Sequence, residues 1–111
     1  MNRGEIWNTR FDTTEGRELS GLRPALIISG NDMIEFMDLV IVCPLTTSIK
    51  TLETCLILHP SEENNLKKTS QILPFQIRSI SKSRLIKYIG RIDEVLTDQV
   101  LDDLIFYISN Y

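Results

Sequence analysis

LVIVCPL, Leu39 to Leu45, is the most apolar run in the chain and reads as a central β-strand. Pro44, near its end, has no amide hydrogen, so pairing must stop or bulge there. That releases Thr46, Thr47 and Ser48 into a loop whose hydroxyls stand at the end of a buried strand.

On the N-terminal side, Ala25 to Ser29 (ALIIS) is a second short buried strand, and Asn31 to Met37 is a helical turn capped by Asn31 or Asp32. Glu5 to Asp12 alternates Ile6, Asn8 and Arg10 on one face with Trp7, Thr9 and Phe11 on the other, a strand with Trp7 and Phe11 inward. The Gly-bounded polar segment Thr13 to Gly21 is long for a plain hairpin, and long loops on small barrels tend to carry function. On the C-terminal side, Thr54 to Leu58 reads as a strand and Glu62 to Lys68 as a polar loop. Ser70 to Ile77 reads as a strand interrupted by Pro74, Ser81 to Arg84 as a turn, and Leu85 to Ile92 as a last strand bulged at Gly90. A final helix takes Thr97 as its N-cap and presents Val100, Leu101, Leu104, Ile105 and Ile108 as one apolar stripe. Short strands followed by a packing helix predict a mainly β fold with added helices (α+β), a small curled barrel closed by a C-terminal helix.

With 111 residues, 42% of them hydrophobic and 24% charged, the chain is read as one globular domain over residues 1–111. No apolar run approaches the ~20 residues of a membrane helix, and MNRGEIW is not a signal sequence, so a soluble cytoplasmic protein is expected. Cys43 and Cys55 lie in apolar runs and are expected as free buried thiols, with a disulfide as the alternative. Two Cys and one His without ligand spacing predict no metal site, and no cofactor is expected. His59, before Pro60 at a strand end, is assigned no role.

The net charge of −3 conceals a segregation. Lys67, Lys68, Arg78, Lys82, Arg84, Lys87 and Arg91 form a block with no acidic residue inside it, whereas the chain after Arg91 is acidic and holds no Lys or Arg. The block either attracts phosphates or is a solvated face.

Arg23 stands between the glycine-bounded loop and a buried strand, and Pro24 holds its backbone extended. An arginine so mounted can clamp a phosphate with two parallel hydrogen bonds. Alone, a salt bridge to Glu15 or Glu18 is the simpler account. Glu18 could take a proton from a ribose hydroxyl, and Thr46 and Ser48 could donate to a phosphate oxygen. Taken singly, each is also an ordinary loop residue.

RGEIW (3–7), EGRELSG (15–21), RPALIIS (23–29), VIVCPLTTSIK (40–50), QIRSISKSRL (76–85) and IGRID (89–93), in that order and ahead of a terminal helix, resemble the MazF/PemK-type (Kid-type) toxin family over nearly the whole chain. The resemblance implies an SH3-like barrel, a homodimer, cleavage of single-stranded RNA at short sequences, and neutralisation by a cognate antitoxin lying in the RNA groove. It assigns catalysis to Arg23, Thr46 and Glu18; Arg17, Thr47, Ser48, Gln76 and Arg78 are expected as RNA contacts. The expected reaction is transesterification: a 2′-hydroxyl attacks the adjacent phosphorus and leaves a 2′,3′-cyclic phosphate and a 5′-hydroxyl, with no metal required. Three positions depart from the pattern: Leu19 replaces a glutamine, Leu73 an arginine and Phe75 an acidic residue. Phe75 leaves open a binding module that has lost catalysis, its ring either stacking on a base or packing in the core. A gyrase poison on a similar barrel is the other alternative.

Overall fold

The chain is described here by a computed structural model covering residues 1–11 and 22–109. Its elements are β1 (Glu5–Arg10), β2 (Leu22–Ile27), α1 (Asn31–Phe36), β3 (Leu39–Thr46), β4 (Ile57–Leu58), β5 (Ser70–Ile72), β6 (Arg78–Ser81), β7 (Leu85–Arg91) and α2 (Glu94–Ser109). Short 3₁₀ turns at Pro74–Gln76 and Lys82–Arg84 flank β6. All pairings are antiparallel, in the order β4-β5-β3-β2-β1-β7 with β6 also on β3.

β3 is central, as its apolar run requires. One edge takes β2, and the other takes β6 along Leu39–Val42 and β5 at Leu45–Thr46. Both of its faces are covered. Side chains alternate across a strand, so Leu26, Ile28, Cys43 and Leu45 enter one core cluster with Val100 and Leu104 of α2. Ala25, Ile27, Val40 and Val42 enter a second with Ile34 of α1. A curled sheet with a helix against one side results, which is the expected class. In β1 the expected inward face is corrected: Ile6, on the opposite face, is fully buried in the first cluster, whereas Trp7 and, just past the strand, Phe11 are only partly buried against the second.

Several local expectations are corrected. Ser70 to Ile77 is not one strand, because Pro74 nucleates a 3₁₀ turn between β5 and β6. Phe75, carried on that turn, is 44% exposed rather than core. Its ring meets Tyr107 of α2 edge-on, with centroids 5.2 Å apart. Of the expected strand Thr54–Leu58, Ile57–Leu58 form β4, with the Leu56 carbonyl also accepting from Ile72 N at 2.9 Å. α1 is capped by the Gly30 backbone, not by Asn31 or Asp32; Asn31 Oδ1 instead accepts from Arg3 N at 2.7 Å.

Thr97 does not cap α2. The helix begins three residues earlier, where Asp93 Oδ1 accepts from Leu96 N at 2.8 Å. Thr97 is buried in the first full turn, its hydroxyl donating to the Asp93 carbonyl. Asp93→Ala is expected to destabilise the fold by about 1 kcal/mol, lowering the thermal midpoint by about 4 °C; calorimetry checks this. The stripe on α2 is half used: Val100 and Leu104 are buried, while Leu101, Ile105 and Ile108 stay exposed.

Both cysteines are free and buried. Burial pushes the Cys43 thiol up to about 12, so it packs as a neutral apolar group. Among the described residues no helix is long and apolar enough to cross a membrane.

Candidate active site

One proline opens the sheet between β2 and β3. β2 and β3 pair through Ile27↔Val42, Leu26↔Cys43 and Ala25↔Pro44, and the ladder stops there. Pro24 has no amide hydrogen to give the next carbonyl of β3, whereas the Pro44 peptide faces away from β2, its carbonyl accepting from Leu73 N at 3.0 Å. Beyond that pair the strands bound a cleft of about 150 Å³, with Leu22, Arg23 and Pro24 on one wall and Leu45, Thr46 and Thr47 on the other. Arg23 and Thr46 each lie two residues past the last pair, so the same register carried outward sets them opposite one another. A guanidinium and a hydroxyl therefore line one opening because hydrogen bonding between their strands fails there.

Each wall is held from behind. On the β2 side, Thr9↔Arg23 and Asn8↔Pro24 pair with β1, so the backbone carrying Arg23 is fixed while its side chain is exposed. The Arg23 side chain has no ion pair or hydrogen bond to any described residue; Glu15 and Glu18, the partners weighed for it, lie outside those residues. On the β3 side, Thr46 pairs with Gln71 of β5. The buried Gln71 amide clamps the following loop, accepting from Lys50 N and donating to the Lys50 carbonyl, both at 3.0 Å. Thr46 Oγ1 accepts from Ser48 N at 3.0 Å. That contact occupies a lone pair and leaves the hydroxyl hydrogen for another acceptor.

Thr47 also lines the cleft, but Ser48 does not; its backbone amide serves Thr46 instead. Gln76 and Arg78 do not line it either. Gln76 closes the 3₁₀ turn after Pro74, and the Arg78 guanidinium stacks 4.8 Å over the Phe11 ring. Arg17 and Glu18 fall outside the described residues. Sequence reading missed Ser70, which is buried, lines the cleft and donates to the Lys68 carbonyl. It also missed Gln71. Neither had a local signal, since both are ordinary strand polar residues until β5 pairs with β3.

Past a rim shared through Pro24, Thr47 and Ser70, the cleft continues into a wider trough of about 400 Å³. Lys67, Lys68 and Lys87 line it, and none of its described lining residues is acidic. Part of the basic block seen in the sequence thus lies beside Arg23.

The chain matches, over residues 2–108, the family of PemK-like, MazF-like toxins of type II toxin–antitoxin systems. It is 32% identical over 98 residues to the endoribonuclease MazF9 of Mycobacterium tuberculosis, spanning 83% of this chain and 82% of that protein. It is 28% identical over 101 residues to the endoribonuclease EndoA of Bacillus subtilis, spanning 90% and 87%. Among solved structures, a MazE–MazF complex from Deinococcus radiodurans has a TM-score of 0.80 at 20% identity, covering 100% of this chain and 97% of that one. An endoribonuclease in complex with its cognate antitoxin from a Mycobacterial species has a TM-score of 0.78 at 22% identity, again covering 100% and 97%. At those identities the likeness is one of fold. The match along nearly the whole sequence is one of family, and the chain is a member of the PemK-like, MazF-like toxins of type II toxin–antitoxin systems.

Proposed function

We propose that this chain is a sequence-specific endoribonuclease that cuts single-stranded RNA by 2′-hydroxyl transesterification without a metal ion, and that a cognate antitoxin silences it. The reading rests on one observation: Arg23 and Thr46 line one cleft of about 150 Å³ that adjoins a basic trough. The curated relatives named as endoribonucleases support the activity, and the neighbours solved with antitoxins support the partner.

In this mechanism a ribose 2′-oxygen attacks the adjacent phosphorus as the bond to the 5′-oxygen breaks, and the departing 5′-oxygen takes a proton from solvent water to become the 5′-hydroxyl. Glu18 takes the 2′-proton. Arg23 holds the charge growing on the non-bridging oxygens, and Thr46 donates its free hydroxyl hydrogen to one of them. The nucleophile belongs to the substrate and is already near the phosphorus, so no metal is needed to generate it. The protein acts as a homodimer in the cytoplasm, and the exposed Phe36, Val95 and Ile108 are apolar surface for its partners.

The test is incubation of the purified protein with mixed-sequence RNA in EDTA. Short fragments ending in a cyclic phosphate are expected; intact RNA of retarded mobility would mean that the protein binds without cutting. That second reading draws on Phe75, which stands where the family carries an acid and lines neither the cleft nor the trough. Thr46→Val is expected to slow cleavage by about 10²-fold. Thr46→Ser, which keeps the hydroxyl, should remain within about tenfold of the parent in single-turnover assays.

A further inference from the structure

The trough beside the cleft is built more rigidly than a loop surface requires. Its outer wall is the segment from His59 to Lys68, organised by the buried Asn64. The Asn64 side chain accepts from Ser61 N at 3.0 Å and from Leu66 N at 2.9 Å, and it donates to the His59 carbonyl at 2.9 Å. Asn65 takes a left-handed backbone, φ 54°, a conformation that asparagine tolerates. This brings Leu66 into the core while Lys67 and Lys68 face out.

The segment is then fastened to β7. Arg91 N donates to the Glu63 carbonyl at 3.1 Å, and Asn65 Nδ2 donates to the Ile89 carbonyl at 3.1 Å. Gly90 lets the two backbones touch: a methyl built on it would lie 2.4 Å from the Asn64 carbonyl oxygen. The β1–β7 register slips at this point, Ile6 pairing with Gly90 and Trp7 with Tyr88. The fastening holds Lys67 and Lys68 across the trough from Lys87 and Tyr88 of β7. None of the three lysines is in an ion pair with a described residue. The Tyr88 ring is steadied by Trp7, edge-on with centroids 5.9 Å apart.

Resting on the reading of the cleft as an RNA-cleavage site, we propose that this trough is a second subsite. It holds the single strand flanking the scissile phosphate, with Lys67, Lys68 and Lys87 on successive phosphates and Tyr88 against an unpaired base. Three unpaired cations on a braced wall, continuous with the cleft, match the charge and flexibility of a single strand.

The test measures binding of an RNA that carries 2′-deoxyribose at the cleaved position, across a salt series, for the parent and for Lys67→Ala/Lys68→Ala/Lys87→Ala. Each single-strand phosphate contact contributes about −0.7 to the slope of log affinity against log salt. The triple variant should therefore lose about 2 from that slope and bind at least about tenfold more weakly near 0.1 M salt. Lys82→Ala, which removes a cation from neither the cleft nor the trough, controls for net charge. The deficit of the triple variant should shrink as the RNA is shortened to span the cleft alone. Equal slopes and affinities in parent and triple variant would overturn the subsite while leaving the cleft reading intact. A parent that neither binds nor cuts RNA would defeat the cleft reading, and the subsite with it.

Discussion

Arg23→Ala is expected to lower single-turnover RNA cleavage by about 10²–10³-fold while leaving the fold intact. The two halves of this expectation have separate grounds. The Arg23 side chain is exposed and bonded to no described residue, so its loss falls among surface substitutions that shift stability by less than about 0.5 kcal/mol. Chemically it is the one cation lining the cleft among the described residues, opposite the Thr46 hydroxyl. Removing it leaves the charge of the phosphorane with a single neutral donor. Arg23→Lys should recover only part of the rate, because an ammonium supplies the charge without the planar pair of donors. Cleavage assays with far-UV circular dichroism on the same samples separate a chemical defect from a folding defect. Near-parental cutting by Arg23→Ala would remove Arg23 from the mechanism.

Gly90→Ala is expected to cause the largest loss of stability. The added methyl would sit 2.4 Å from Asn64 O, 2.5 Å from Asn64 C and 2.7 Å from Glu63 O. All three are backbone atoms, so no side-chain rotation relieves the clash. Either β7 or the Ser61–Leu66 turn must move, and that turn is cross-linked by the Asn64 hydrogen bonds. Overpacking of this kind costs about 1–3 kcal/mol, and rigid backbone on both sides puts it at the upper end, a fall in thermal midpoint of about 10 °C. Gly30→Ala is the control, since nothing lies within 4 Å of its added methyl; its shift should stay within about 0.5 kcal/mol. A displaced turn would also carry Lys67 and Lys68 away from Lys87, so RNA affinity should fall with stability.

The features readable in the sequence were those written in local pattern. LVIVCPL is a central strand because apolar side chains continue on both parities, and the two clusters separate Cys43 and Leu45 from Val40 and Val42 as a period of two requires. Pro44 stands at the last β2–β3 pair, but its own peptide faces Leu73, and the amide hydrogen missing on the β2–β3 side is that of Pro24. Pro74 misled because its fixed φ suits a 3₁₀ turn as well as a strand interruption, and only the packing of that turn against α2 decides between them. Thr97 looked like a cap because hydroxyls favour that position; Asp93 captured the role, and Thr97 was left to satisfy a carbonyl inside the helix. The cleft itself could not be read from spacing. Arg23 and Thr46 are 23 residues apart in the chain, and their opposition follows from strand register and the point where it fails. The family resemblance named these two; of the other residues expected to contact RNA, Ser48, Gln76 and Arg78 line neither the cleft nor the trough.

The most direct measurement is a crystal structure of the protein with an RNA whose cleaved nucleotide lacks the 2′-hydroxyl, so that the strand binds without reacting. One phosphate is expected between β2 and β3, with non-bridging oxygens about 3 Å from both the Arg23 guanidinium and Thr46 Oγ1, and the flanking strand running over Lys67 and Lys87. A bound strand whose phosphates all lie away from that cleft would contradict the account.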